Sequence, residues 1–170
     1  MGKWAIALRQ VPSPKHTTRT LQLTGLDIAA VREILQDYGV AEIENNSALI
    51  DCYQGNPLWL KSVATQIQEL GESVTDLLPD DTILLPEDLK EIFQQQFNRL
   101  SEIEIEVLCL LAKEREPVTL AKLLEKSTIN GLDLLNALQS LLRRCLIEKP
   151  DNFYNLSPVV RQYVTQKPGF

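Results

Sequence analysis

Residues 55–57, Gly-Asn-Pro, sit between two stretches of helical period, and they dictate how this chain can fold around them. Gly accepts the positive φ that ends a helix. Asn caps a following helix through its side-chain oxygen. Pro fits the first turn, where its missing N–H has no partner to lose. The chain must therefore stop one helix near Gln54 and start another at Pro57, with no loop between. The second helix should bury Leu60, Val63, Ala64, Ile67 and Leu70. Its start should leave backbone N–H groups free for something polar or anionic.

The rest of the chain supplies a setting for this corner. "KWAIALR" (3–9) reads as a short buried strand and "RTLQLTGL" (19–26) as a second strand or extended segment. "LDIAAVREILQDYG" puts Ile28, Val31, Ile34 and Leu35 on one helical stripe that stops at Gly39. A further helix is expected from Ser47 to Gln54, with Leu49 and Tyr53 four apart. Residues 71–89 are acidic, with two Pro, and read as a connector that still packs its leucines. The segment 86–100 opens with Pro and acids, a favourable helix start, and turns Ile92, Phe93, Phe97 and Leu100 inward.

From residue 101 the pattern changes. Ser101 and Glu104 form a capping box ahead of a stripe of Ile103, Val107, Leu110 and Leu111. A short helix follows, capped by Thr119. A third has Asn130 as cap and Leu134, Leu135, Leu138, Leu141 and Leu142 inside. "CLIEKPDNFYNLS" reads as two short strands about the turn signal "KPDN", and "SPVVRQYVTQ" as a closing helix with Pro158 in its first turn. Three helices and a two-stranded wing are the order of a winged helix. The expected fold is therefore mainly α: a strand segment (1–25), a helical domain with the corner (26–85), a connecting helix (86–100), a winged-helix domain (101–165) and a tail (166–170).

Composition narrows the function classes. Of 170 residues 44% are hydrophobic, enough for a core, and the net charge is −6, a poor balance for gripping phosphate backbones. Cys52, Cys109 and Cys145 lie too far apart for metal or redox spacing and read as reduced, buried thiols, which suits a cytoplasmic protein. No apolar run reaches the roughly 20 residues of a membrane span, and no signal peptide is read at the start. There is no phosphate loop. His16, the single His, lies in a polar loop, and the carboxylates fall on solvent faces. Neither a catalytic nor a metal site is expected.

Three stretches resemble a known family. "YQGNPLWLKSVATQIQEL" looks like the "GNPLAL" or "GLPL" motif of the helical domain in STAND-class, NB-ARC-type signalling NTPases, above all their cyanobacterial versions. "LSEIEIEVLCLLAKEREPVTLAKLLEK" with "LLNALQSLLRRCLIEK" is similar to the winged-helix domain of that family. "WAIALRQVPSPK…TLQLTGLDIAAVREIL" looks like the end of its nucleotide-binding core. The resemblance implies that Pro57 lies against a bound adenine nucleotide, with Gly55 and Asn56 shaping the corner, and that Arg9 falls on the family's sensor Arg. The family's Met-His-Asp motif falls on Leu156, Ser157 and Pro158, so Ser157 stands where a phosphate-contacting His is expected. The same three corner residues also serve as plain helix punctuation.

Two functions follow. One is a non-enzymatic regulatory module that acts by protein–protein contact, binds no nucleotide strongly alone, and completes an ADP or ATP pocket with a partner phosphate-loop NTPase domain. The alternative is a winged-helix DNA-binding regulator using Arg143, Arg144, Lys149 and Arg161. The sequence disfavours nucleic acid, because the third helix opens with Asp133 and no cation. Residues 101–165 carry eight Lys and Arg against nine Asp and Glu.

Overall fold

The computed structural model describes residues 3–7, 20–40, 51–71 and 83–167; for 3–7 and 20–23 it describes the backbone alone. His16 and Leu49 lie outside them. β1 (Lys3–Ala7) and β2 (Thr20–Thr24) pair antiparallel, with Trp4 opposite Leu23 and Ile6 opposite Leu21. The chain then enters α1 (Ile28–Asp37), which Asp27 caps by accepting from the Ala30 N–H at 2.8 Å. Gly39, at φ 74°, ends it. Residues 51–53 are helical, the corner follows, and α2 (Pro57–Leu70) packs on α1.

α1 and α2 share a core of Val31, Leu35, Leu60, Val63, Ala64 and Ile67, each at most 1% exposed. Both ends of that stripe differ from expectation. Ile28 is 56% exposed and Leu70 61% exposed; they are the first residue of α1 and the last of α2, with no further turn of their own helix beyond them. α3 (Glu87–Phe97) follows, with Leu89, Phe93 and Phe97 buried and Ile92 and Leu100 half-buried.

The C-terminal part is a winged helix. α4 (Glu102–Lys113) starts at the expected capping box, with both reciprocal hydrogen bonds made. β3 (Val118–Thr119) leads into α5 (Leu120–Lys126), capped by Thr119. α6 (Gly131–Arg143) is capped by Asn130, β4 (Phe153–Tyr154) follows, and α7 (Pro158–Gln166) closes the chain. The wing departs from two simple strands about the turn. β4 pairs antiparallel with β3, and the turn at 150–152 is closed by a single bridge between Glu148 and Asn155. Pro150 cannot donate to a ladder, and Asp151 takes a positive φ of 53°, so pairing cannot continue through "KPDN".

α6 buries Leu134, Ala137, Leu138 and Leu141, the i, i+3, i+4, i+7 stripe. Leu135, expected inside, is instead 45% exposed. It lies about 100° around the helix from Leu134, which takes the inward position. Leu142 is half-buried. Cys52, Cys109 and Cys145 are only partly buried rather than buried, and form no disulfide.

Candidate functional site

The corner is built almost wholly from backbone geometry. Gln54 and Gly55 both take positive φ, 53° and 69°, and turn the chain out of one helix. The Asn56 N–H donates to the Tyr53 carbonyl at 2.9 Å. The Asn56 side-chain oxygen then accepts from the N–H groups of Leu58 (2.9 Å) and Trp59 (3.3 Å). Asn56 is 7% exposed, so this cap is internal to the fold.

A second strand of chain locks the corner from outside. The Leu26 N–H donates to the Gly55 carbonyl at 2.9 Å. A Cβ on Gly55 would lie 2.5 Å from the Leu26 oxygen and 2.7 Å from its nitrogen, and one on Gly25 would lie 1.9 Å from the Gln54 oxygen. Two glycines therefore let the segment leaving β2 and the corner meet backbone to backbone. Gly25 was not singled out from the sequence; its place just before a helix cap was the available signal.

This geometry corrects one expectation. From the sequence, the N-terminus of α2 is expected to offer free N–H groups to something polar or anionic. Pro57 has no N–H, and the next two donors are taken by Asn56, so little is left for a phosphate. What faces outward is apolar: Pro57 is exposed, with Leu58 at 51% and Leu26 at 36%. Such a surface suits the flat face of a ring better than an anion.

Arg9 lies outside the described residues. Ser157 is 6% exposed and caps α7, its hydroxyl accepting from the Val160 N–H at 3.3 Å. That oxygen serves a helix start, in a side chain with little surface facing solvent.

Three of the four basic residues of the nucleic-acid reading have local partners. The Arg161 guanidinium is half-buried and donates to the carbonyls of Leu111 (3.0 Å), Ala112 (3.0 Å) and Glu114, and to Asn155 Oδ1 (3.0 Å). It closes the C-terminus of α4, and burial lowers its pKa. Arg144 Nε lies 3.7 Å from Glu104 Oε1, and Lys149 sits over the Tyr154 ring at 5.4 Å. Arg143 is exposed at the end of α6. The outward face of the same helix carries Leu132, 67% exposed, and Leu135 where base-reading side chains would be needed.

A groove of about 560 Å³ runs between α3 and α7, lined by Glu87, Lys90, Gln94, Tyr163 and Lys167 among others; no corner residue lines it. Among the described residues no three His, Cys, Asp or Glu side chains are grouped to hold a metal ion, and no helix is long and apolar enough to cross a membrane.

The chain is 38% identical over 154 residues to an uncharacterized WD repeat-containing protein of Nostoc sp. (strain PCC 7120). That match spans 86% of this chain and 12% of that protein. No family model matches the chain, and no solved structure matches it.

Proposed function

We propose that this chain is a non-enzymatic regulatory module, the helical and winged-helix part of an NB-ARC-type signalling switch. It acts by protein–protein contact with a separate phosphate-loop domain and gives that domain one wall of an adenine-nucleotide pocket. The observation that carries this reading is the corner. Pro57 is exposed on a backbone that two glycines and a buried Asn hold rigid. A preorganised apolar wall binds a flat ring with little ordering cost. The phosphate grip must come from the partner, since the first donors of α2 are already used.

The likeness to a small part of a much longer cyanobacterial protein supports a module that works among other domains. A WD repeat is a four-stranded blade of roughly 40–45 residues. The described residues here are helices and two two-stranded sheets. The likeness is thus to a part of that protein other than its repeats. A cytoplasmic setting fits the three unbridged cysteines.

Calorimetric titration of ADP tests the reading. The chain alone should show no tight binding and no ATP turnover. With a candidate phosphate-loop domain present, ADP should bind, and Pro57→Ala should weaken it. Tight binding by the chain alone, or binding with the partner that ignores Pro57→Ala, would overturn the proposal.

A further inference from the structure

The buried side chains of the α1–α2 lobe, of α3 and of the winged-helix lobe form one continuous core, with α3 joining the other two. The side chains that join the three form a continuous aromatic stack. The Trp59 ring lies 5.8 Å from Phe93 at 53°, Phe93 lies 5.1 Å from Tyr163 at 31°, and Tyr163 meets Phe97 at 4.9 Å and 66°. All four residues are at most 7% exposed. Tilted and edge-on pairs fix relative orientation as well as proximity, and close-packed interiors transmit displacement rather than absorbing it.

Polar ties run alongside the stack. The Ser62 hydroxyl donates to Asp88 Oδ1 at 2.5 Å, joining α2 to α3. The Tyr53 hydroxyl donates to the Leu84 carbonyl at 2.7 Å, joining the residues before the corner to the entry of α3. The Tyr163 hydroxyl donates to Gln94 Oε1 at 3.1 Å, joining α7 to α3. One end of the stack is at the corner itself, because the Trp59 N–H is held by Asn56.

We infer that the Trp59–Phe93–Tyr163–Phe97 stack couples the Gly55–Pro57 corner to the closing helix α7, so that a partner gripping the corner also sets the orientation of the winged-helix lobe. The partner belongs to the function proposed above. The coupling is a property of the chain and is testable without nucleotide or partner, so its failure and that of the nucleotide reading are distinguishable.

Hydrogen exchange read by mass spectrometry on the full chain tests it, with Trp59→Leu and Tyr163→Leu as variants. Each should speed exchange about tenfold, the loss of one modest ring contact, in the first turns of α2 and in α7 alike, with the middle of α6 unchanged. Loosening confined to the helix that carries the substitution would overturn the inference. So would equal loosening of α6, which would reduce the stack to a contributor to global stability. If either variant does not fold, Tyr163→Phe keeps the ring and removes the Gln94 bond. It should loosen both helices by a smaller factor, and an effect on α7 alone, or none, would count against the coupling.

Discussion

The corner and the winged-helix lobe both have to end a helix inside packed protein, and they do it in opposite ways. Before the corner, the helix that includes residues 51–53 is ended by local backbone: two positive-φ residues, one turn hydrogen bond and a glycine pressed against Leu26. In the winged helix, the last carbonyls of α4 are met by Arg161, from 50 residues further along the chain in the case of Leu111. One end is set by what a residue's backbone can adopt, the other by whether a distant side chain arrives. The corner should therefore tolerate almost no added atom, while the α4 end should tolerate shape changes but not loss of a cation.

The largest expected effect follows from the first half of that contrast. Gly55→Ala adds a Cβ against backbone atoms that cannot rotate away, at a φ of 69°. Denaturant unfolding should show a loss of about 4 kcal/mol or more, the range reserved for strain combined with a steric clash. Gly39→Ala is the control. Its φ is similar, at 74°, but nothing lies within 4 Å of the new atom. It should cost about 1 kcal/mol, the left-handed penalty alone. Equal losses at the two positions would mean that the Gly55–Leu26 contact contributes nothing.

Within the winged-helix lobe, packing should dominate. Leu138 is 1% exposed on the buried stripe of α6, and Leu138→Ala should cost about 3 kcal/mol. Leu135→Ala, one residue turn away on the exposed face, should change unfolding by less than about 0.5 kcal/mol. A large effect at Leu135 would put the phase of α6 in error.

What could be read in the sequence divides along the same line. Caps at Asn56, Ser101, Thr119 and Asn130 were legible because a capping side chain and its N–H lie within three residues of each other. The order of three helices and a wing was legible from period and turn residues. The Gly25–Gln54 contact and the Arg161 bonds were not, because their partners are far apart in sequence and neither residue breaks a local pattern. β3 was missed because it is only two residues long, the second of them the Thr119 cap, and shows no alternation. The phase error at Leu135 arose because α6 carries adjacent leucines, and only the facing helix decides which of them turns inward. At the corner, the three residues were legible but their chemistry was not. The anion reading failed once Asn56 proved to hold both nearby donors.

Arg161→Met keeps the length of the side chain and removes its donors. Three carbonyls and Asn155 lose their shared partner, so unfolding should show a loss of about 2 kcal/mol, typical of hydrogen bonds to a charged group. Asn56→Ala removes two bonds from neutral N–H groups at the corner and should cost about 1 kcal/mol, with Asn56→Asp restoring most of it. If the order of these two losses were reversed, the corner rather than the α4 end would depend on its side chain, and the contrast would fail.

The smallest effect concerns Glu104, the acid of the capping box, which is 7% exposed. Burial favours its neutral form. Hydrogen bonds from Ser140 and from the N–H and hydroxyl of Ser101, with Arg144 beside it, outweigh burial and hold its carboxyl below the usual value of 4.5. The folded state therefore favours the carboxylate. Its contribution is present above pH 4.5 and is lost as the pH falls below that value and through the lower folded pKa. Glu104→Gln keeps the shape and can still accept from the Ser101 N–H, but it does not titrate. Melting temperatures of the two proteins should differ at neutral pH, with the wild type higher, and converge as the pH is taken below 4.5. Carboxylates common to both proteins cancel in that difference. A gap that stayed constant with pH would mean that Glu104 acts by shape alone, which would make the start of α4 as purely geometric as the corner.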